Sequence, residues 1–187
     1  NLTVTVTAVN DNNPVFTSSA TPSVAENQTA VVTVSATDAD VPAQTVSFAI
    51  TGGADQSKFQ IVSGNQLRFV NAPNFENPSD DGANNVYNVD VTASDGLGGS
   101  TVQNLAITVT PVNDNNPVFT SSATPSVAEN QTTVVTLTAT DADVPAQTVS
   151  FAITGGADQN KFQIVSGNQL RFVNAPNFEN PSDDGAN

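Results

Sequence analysis

The octapeptide VNDNNPVF occupies residues 9–16 and returns unchanged at residues 112–119. The same offset of 103 residues relates residues 1–84 to residues 104–187, with seven mild differences among the 84 aligned positions. A period of about 100 residues is the size of a whole domain and far exceeds the roughly 20–50 residues of a solenoid repeat. The sequence therefore predicts domains arranged in tandem.

The two ends of the chain fall inside copies of this repeat. Residues 1–9 match the end of a copy, and residues 113–187 make a copy that stops before the equivalents of residues 86–109. We therefore predict that residues 1–9 are the last strand of a preceding repeat and that residues 10–112 are a complete repeat. Residues 113–187 are predicted to be a repeat truncated before its last two strands.

Alternation of apolar and polar residues predicts short strands within each copy. Val15-Phe16 forms one, and further segments lie at residues 32–37, 46–50, 59–61, 67–69, 87–93 and 105–109. About seven short strands in about 100 residues are typical of an immunoglobulin-like Greek-key sandwich. We predict an all-β fold of tandem seven-stranded β-sandwiches, end to end. The expected core aromatic residues are Phe48, Phe59, Phe69 and Tyr87.

The composition excludes several classes of function. The 187 residues carry 18 Asp and Glu against four Lys and Arg, for a net charge of −14, and no Cys, His, Met or Trp. Without Cys and His the chain cannot form a disulfide, a thiolate or imidazole metal site, or a histidine-dependent triad. Four basic residues argue against nucleic-acid binding, which depends on Lys and Arg contacts to phosphate. No apolar run approaches the roughly 18 residues of a membrane span, and we expect no enzymatic activity.

Most of the negative charge is grouped in short motifs at strand ends and in loops. Clustered carboxylates repel one another, by about 1 kcal/mol at 4 Å in water and about 4 kcal/mol at an effective dielectric of 20. A set of carboxylate, carbonyl and amide oxygens, with no nitrogen or sulfur ligand, suits a hard cation and above all calcium. The grouped acids are Asp11, Glu26, Asp38, Asp40, Glu76, Asp95, Asp114, Glu129, Asp141, Asp143 and Glu179. The other seven are interpreted as ordinary surface or turn acids: Asp55, Asp80, Asp81, Asp90, Asp158, Asp183 and Asp184.

The order of these motifs resembles the cadherin repeat. The sequence has AEN at residues 25–27, DAD at 38–40, NFE at 74–76, ASDG at 93–96 and VNDNNP at 112–117. In that family the corresponding motifs are x-E-N, D-x-D, D-R-E or similar, A-x-D and D-x-N-D-N-x-P. The resemblance covers the whole chain, and it implies calcium ions that bind between successive repeats and stiffen the linker.

The resemblance also implies which residues would ligate calcium. The set expected at the linker is Glu26, Asn74, Glu76, Val112, Asn113, Asp114, Asn115, Asp141 and Asp143, with the carbonyl of Ala146 as a further ligand. The set expected to face a preceding repeat is Asn10, Asp11, Asn12, Asp38, Asp40 and Asp95. The set expected to face a following repeat is Glu129, Asn177 and Glu179.

Two positions depart from the family pattern by losing charge. Asn74 stands where the family has an acid, and Pro111 or Ala8 stands where the linker motif begins with one. We therefore expect fewer or weaker calcium ions than the three of a cadherin junction.

The function implied by the resemblance is that of a calcium-binding, calcium-rigidified tandem repeat in a long extracellular adhesin or surface filament. The absence of cysteine and the near identity of the repeats favour a secreted bacterial protein at the cell surface. The alternative is a polysaccharide-binding cadherin-like module, with a polysaccharide or cell-surface partner. The expected partners are neighbouring repeats of the array. Residues 1–9 are a spare copy of a strand that the last repeat lacks. This predicts head-to-tail self-association, or alternatively that the 187 residues are a window on a longer continuous fibre.

Overall fold

A computed structural model of the chain describes residues 1–184. The fold is all-β, and the helical segments among those residues are two three-residue 3₁₀ turns, Gln56–Lys58 and Gln159–Lys161. The chain divides into two compact units, Asn1–Val112 and Asn113–Asn187. Within residues 1–184 no helix has the length and hydropathy needed to cross a membrane.

The first unit is a β-sandwich of short strands. The strands are β1 (Val15–Phe16), β2 (Ser23–Ala25), β3 (Ala30–Thr33), β4 (Ala36–Thr37), β5 (Ser47–Gly52), β6 (Phe59–Val62), β7 (Gln66–Phe69), β8 (Val86–Ser94) and β9 (Ser100–Thr110). A four-stranded sheet has the order β2-β9-β8-β5, a three-stranded sheet has the order β3-β7-β6, and β1 pairs with β4. The β2–β9 pair is parallel and the others are antiparallel.

The core of the first unit is built from the inward faces of these strands. The Tyr87 ring makes edge contacts with Phe59 and Phe69 at centroid distances of 6.2 and 5.0 Å. All three residues are buried, which confirms their prediction as core residues. Phe48 packs against this cluster at its margin. Because side chains of a strand alternate between faces, β8 and the second half of β9 bury every second residue. Those residues are Tyr87, Val89, Val91, Ala93, Leu105, Ile107 and Val109.

The prediction of one strand at residues 32–37 is wrong, because two strands of different sheets lie there. β3 pairs with β7, whereas β4 pairs with β1. Val34 lies between them fully buried, and its N–H donates to the carbonyl of Asn65 at 2.9 Å. The apolar alternation continues while the chain crosses from one sheet to another, so alternation alone could not show the break. The short β2, which pairs in parallel with β9, was not predicted.

The second unit repeats part of this arrangement. Its strands are β10 (Val118–Phe119), β11 (Thr133–Thr136), β12 (Ala139–Thr140), β13 (Phe162–Val165) and β14 (Gln169–Phe172). β11-β14-β13 form one sheet and β10-β12 another. The strand that the repeat predicts at residues 149–153 is absent, although the sequence is identical to that of residues 46–50. In the first unit β5 is held by its ladder with β8, and the described part of the second unit has no equivalent of β8.

Residues 1–9 form no strand in the structure. Their apolar side chains are exposed, at 91% for Leu2, 76% for Val4 and 92% for Val6. The equivalent residues of the repeat belong to β9, which lies between β2 and β8. In the first unit β9 itself occupies the position between β2 and β8. Residues 1–9 therefore cannot pair with β2 and β8 of that unit.

Candidate metal centre

The chain before β1 folds back onto the turn at Asp38-Ala39-Asp40. Asn12 donates its backbone N–H to Asp40 Oδ2 at 3.1 Å and its side-chain amide to Asp40 Oδ1 at 2.6 Å. The same amide lies 3.0 Å from Asp11 Oδ1. Asp38 Oδ1 accepts the N–H of Asp40 at 2.9 Å, the side-chain-to-backbone bond by which aspartate forms turns. These bonds join the side chain of Asn12 to Asp11 and Asp40, and Asp40 to Asp38.

Asp95 joins this group from the turn that follows β8. Its Oδ1 accepts the backbone N–H groups of Leu97 at 2.8 Å and Gly99 at 3.0 Å. Its Oδ2 accepts the side-chain amide of Asn10 at 3.0 Å. A Cβ atom at Gly99 would lie 2.3 Å from Asp95 Oδ2 and 2.9 Å from the carbonyl oxygen of Asn12. The turn and the segment before β1 therefore meet closely enough that only glycine fits. We call the residues Asn10, Asp11, Asn12, Asp38, Asp40 and Asp95 the acidic face of the first unit.

Hydrogen bonds lower the pKa of two carboxyl groups of this face, those of Asp40 and Asp95. The side-chain amide of Asn12 lowers the pKa of Asp40 below its usual value, against the opposing effect of burial. The pKa of Asp95 is lowered chiefly by the backbone N–H of Leu97 and next by the side chain of Asn10. A carboxylate that accepts several hydrogen bonds loses its proton more readily. The acidic face therefore holds concentrated negative charge at neutral pH.

Two oxygen atoms of the acidic face, and one of Gln44 in the loop after Asp40, have no hydrogen-bond partner. The side-chain oxygens Asn10 Oδ1, Asp38 Oδ2 and Gln44 Oε1 are buried and unbonded. Leaving such an atom unsatisfied costs about 1–3 kcal/mol. Unbonded oxygens next to ionised carboxylates are the donor set of a calcium ion, so the residues present fit that metal.

Gln44 was not among the predicted ligands. The sequence gives only a weak signal for it, because Gln44 lies in the loop after the DAD motif and returns as Gln147 at the repeat offset. The Gln147 amide lies 3.4 Å from Asp143 Oδ2 in the second unit. The structure therefore places Gln147 beside a carboxylate, and the repeat predicts the same place for Gln44.

The second unit builds the same arrangement from the same sequence. Asn115 donates its backbone N–H at 3.1 Å and its side-chain amide at 2.8 Å to Asp143 Oδ1. Asp143 donates its N–H to Asp141 Oδ1 at 3.0 Å, and the Asp114 N–H lies 3.3 Å from Asp143 Oδ1. Asp143 is 2% exposed, and the side chain of Asn115 is the main cause of its lowered pKa. These bonds form although this unit lacks β8 and β9 equivalents in its described part.

A second group of predicted ligands lies at the end of β9 in the first unit. Glu26 is 1% exposed, and its two oxygens accept the backbone N–H groups of Phe75 and Val112, each at 2.8 Å. Carboxylate oxygens of Glu26 and Glu76 lie within 4.8 Å of each other. Asn74 Oδ1 instead accepts the N–H of Asn77 at 2.7 Å. Glu26 is therefore a structural link between two chain segments as well as a candidate ligand.

The equivalent residues of the second unit are less tightly held. Phe178 donates its N–H to Glu129 Oε2 at 3.2 Å, and Asn177 Oδ1 accepts the N–H of Asn180 at 3.0 Å. Glu129 and Glu179 are exposed. In the first unit the second hydrogen bond on Glu26 comes from Val112, which follows β9. The described part of the second unit has no segment equivalent to β9.

The predicted linker site draws on both units. Glu26, Asn74, Glu76 and Val112 belong to the first unit, and Asn113 to Asp143 belong to the second. Their convergence on common ions stays a prediction. Within single units the structure brings Glu26 close to Glu76, and it joins Asp114, Asn115 and Asp141 to Asp143.

Two acids that were interpreted as ordinary surface or turn acids are buried. Asp55 is 2% and Asp80 is 7% exposed. Asp55 accepts the backbone N–H groups of Asp81 at 2.7 Å and Asn88 at 2.8 Å, and it thereby ties the loop before β8 to the chain before β6. Asp80 accepts the N–H groups of Asn84 and Asn85 within that loop, as a turn acid does. The expectation of surface exposure was wrong for both, because nothing in the local sequence distinguishes a buried loop acid from an exposed one.

No family model matches the sequence. Cadherin-16 from Oryctolagus cuniculus is 34% identical over 183 residues, which is 86% of this chain and 22% of that protein. Cadherin EGF LAG seven-pass G-type receptor 1 from Homo sapiens is 36% identical over 151 residues, which is 76% of this chain and 5% of that protein. Among solved structures, the Protocadherin GammaB4 extracellular domain matches with a TM-score of 0.61 and 26% identity, over 94% of this chain and 29% of that chain. The chain spans less than a quarter of the length of these two curated relatives.

Proposed function

We propose that this chain, which is built of cadherin-like repeats, is a calcium-rigidified structural module of a long extracellular adhesin or surface filament. The observation that carries the proposal is the acidic face, where ionised carboxylates lie beside buried oxygens that lack hydrogen bonds. The same DAD-centred arrangement recurs in the second unit. A site repeated with the domain suits a mechanical role that every domain shares.

The candidate ligands divide into those at the start and those at the end of a unit. Asp40 and Asp95 in the first unit, and Asp143 in the second, are buried carboxylates at the start. Glu26 and Glu76 are the carboxylates at the end of the first unit. Bound calcium supplies positive charge that offsets the repulsion among these groups. We propose that the linker residues Asn113, Asp114 and Asn115 complete the set.

Rigidification follows from linkage. A ligand that binds one arrangement of two domains better than the others shifts the population toward that arrangement. The same binding stabilises the folded domains, by an amount that grows with the free calcium concentration. Extracellular calcium modules bind in the range of about 10⁻⁴–10⁻³ M, which matches calcium outside cells.

Neighbouring repeats are the partners that we propose for each unit, together with head-to-tail self-association through residues 1–9. The extracellular location is supported by the match to the extracellular domain of Protocadherin GammaB4. The absence of cysteine and the near identity of the two copies support a bacterial surface filament. We do not propose polysaccharide binding, because Phe59, Phe69 and Tyr87 are buried against one another and offer no stacking surface.

Calorimetric titration of the 187-residue chain with calcium tests the proposal. We expect saturable binding that the double variant Asp40→Asn and Asp143→Asn weakens strongly, because both carboxylates lose their charge. Asp90→Asn is the matched control, since Asp90 lies on β8 and binds the side-chain amide of Asn104 away from the acidic face. Absence of calcium binding, or equal weakening by the control, would refute the proposal.

Solution X-ray scattering tests rigidification separately. The maximum dimension of the chain is measured in calcium and again after chelation. We expect a longer and more uniform particle in calcium. An identical distance distribution in both conditions would leave calcium binding without the mechanical role proposed for it.

A further inference from the structure

Aspartate followed by glycine is the dipeptide at which a protein backbone rearranges most readily. Glycine has no side chain to hinder the attack of its amide nitrogen on the carboxyl group of the aspartate. The sequence has three such pairs, at residues 81–82, 95–96 and 184–185. The third includes Gly185, which lies outside the described residues. The first two lie in the first unit and can be compared with each other there.

The Asp81-Gly82 pair lies in the loop between β7 and β8, and both residues are exposed. Asp81 is held through its backbone, since its N–H donates to Asp55 Oδ1 at 2.7 Å. Within residues 1–184, neither the Asp81 carboxylate nor the Gly82 N–H has a hydrogen-bond partner. The two groups that would react with each other are therefore both available.

The Asp95-Gly96 pair is held in the opposite way. Asp95 is 5% exposed, and its Oδ1 accepts the N–H of Leu97 at 2.8 Å. Its Oδ2 accepts the side-chain amide of Asn10 at 3.0 Å. The Gly96 N–H donates to Ser94 Oγ at 3.2 Å. Both reacting groups are bonded elsewhere, so this carboxyl group cannot turn onto the glycine nitrogen without breaking these bonds.

The backbone around Asp81-Gly82 has an unusual conformation that depends on its spacing. Gly82, Ala83 and Asn85 have φ angles of 122°, 49° and 63°, and positive values are uncommon for residues other than glycine. Asp80 holds this turn together. Its carbonyl accepts the Ala83 N–H at 3.1 Å, and its carboxylate accepts the N–H groups of Asn84 and Asn85 at 2.9 and 3.1 Å.

We propose that Asp81 is a modification site, at which the folded protein converts aspartate to isoaspartate without an enzyme. The Gly82 nitrogen attacks Asp81 Cγ. The hydroxyl of the carboxylic acid and the amide hydrogen leave together as water, which closes a five-membered succinimide ring.

Water then opens the ring in one of two ways. Addition at Cγ restores aspartate. Addition at the main-chain carbonyl carbon of Asp81 breaks its bond to the Gly82 nitrogen, so that the chain now runs through Cγ. One water is released and one is consumed, and no group is oxidised or reduced.

The isoaspartate form has one more methylene group in the backbone, next to the turn that Asp80 holds. The added atom shifts Gly82 and Ala83 away from Asp80, and the hydrogen bonds of the turn then weaken. The same loop is tied to its earlier part by Asn85, whose side-chain amide donates to the Phe75 carbonyl at 3.0 Å. We therefore expect the modified unit to be less stable. This inference goes beyond the proposed function and does not depend on calcium binding.

Incubation of the 187-residue chain for weeks at neutral pH tests the inference. After digestion, mass spectrometry with electron-transfer fragmentation locates isoaspartate, and a protein-isoaspartate methyltransferase quantifies it. We expect isoaspartate to accumulate in the peptide that contains Asp81 and not in the peptide that contains Asp95. In urea that unfolds the chain the hydrogen bonds of both pairs are lost, so we expect both peptides to react at similar rates.

Asp81→Glu is the decisive variant. The longer side chain cannot close a five-membered ring, whereas the backbone N–H that Asp55 accepts is kept. We expect the isoaspartate signal of this peptide to be lost. Asp90→Glu is the matched control, since Asp90 is followed by valine, and its variant should keep the signal at Asp81.

Modified chains can be separated by ion-exchange chromatography and unfolded in urea, with Tyr87 fluorescence as the probe. We expect a lower midpoint than in unmodified chains, and an unchanged midpoint would refute the predicted loosening of the turn. Isoaspartate that forms equally at Asp81 and Asp95 in the folded chain would overturn the assignment of the site. So would isoaspartate that forms at Asp81 only after unfolding, or that persists in Asp81→Glu.

Discussion

Glu26 connects two chain segments through one buried carboxylate. Its oxygens accept the N–H groups of Phe75 and Val112, each at 2.8 Å, and the side chain is 1% exposed. A buried N–H that loses its acceptor costs about 1–3 kcal/mol. The residue is therefore structural before any ion binds, although its place in the AEN motif predicted it only as a ligand.

We predict that Glu26→Ala lowers the free energy of unfolding of the first unit by about 1–3 kcal/mol in the presence of chelator. The single tyrosine of the chain, Tyr87, lies in the core of this unit, so its fluorescence in urea reports the change. Glu129→Ala is the matched control in the second unit. Glu129 is exposed and accepts the backbone N–H of Phe178 at 3.2 Å, so we expect the urea transition of its variant to stay close to that of the parent.

Asp55 and Asp40 are both buried aspartates that accept backbone hydrogen bonds. We predict that removing the charge affects a different property in each case. Asp55→Asn should lower the urea midpoint in chelator while leaving the stabilisation by calcium unchanged, because Asp55 binds the N–H groups of Asp81 and Asn88. Asp40→Asn should reduce the stabilisation by calcium. Urea titrations of each variant with and without calcium measure both effects. A calcium response lost in Asp55→Asn and kept in Asp40→Asn would contradict the assignment of the acidic face.

The turn after β8 is the element that brings Asp95 to the segment before β1. Gly99 is buried there, and a Cβ atom would lie 2.3 Å from Asp95 Oδ2 and 2.9 Å from the Asn12 carbonyl oxygen. We predict that Gly99→Ala weakens calcium binding by displacing Asp95 and Asn12. Gly155→Ala is the control, since a Cβ at Gly155 meets nothing within 4 Å. Calorimetry should show weaker binding in Gly99→Ala alone, and unchanged affinity would mean that Asp95 is not a ligand.

The strands also show how far the sequence determines the elements. The alternation in β8 and β9 predicted both strands, because these strands are half-buried on one face along most of their length. The same local sequence gives β5 at residues 47–52 and no strand at 149–153. Strand formation there depends on a ladder with β8, which is distant in sequence. A period-two pattern carries no information on whether the partner strand is present.

The candidate site was more predictable than the sheets. The Asn12–Asp40 and Asn115–Asp143 bonds join residues 28 apart and form in both units, so motifs at fixed spacing suffice to find them. Gln44 and the structural role of Asp55 were missed because both depend on neighbours that the motifs do not include. Burial of a loop residue is a property of the folded unit and leaves no local mark in the sequence.

The two units differ most in how much apolar surface they bury. The residues of the buried hydrophobic cluster, from Val24 to Val109, all lie in the first unit. Within residues 113–184 the one fully buried residue is Asp143. Apolar burial is the main favourable term in folding. We therefore expect the second unit of the 187-residue chain to be less stable than the first.

This difference predicts two separate unfolding transitions. Far-UV circular dichroism follows both units, whereas Tyr87 fluorescence follows the first unit alone, so we expect circular dichroism to change at lower urea than fluorescence. Coincident probes are the mark of a two-state transition, and coincidence here would contradict the difference in stability.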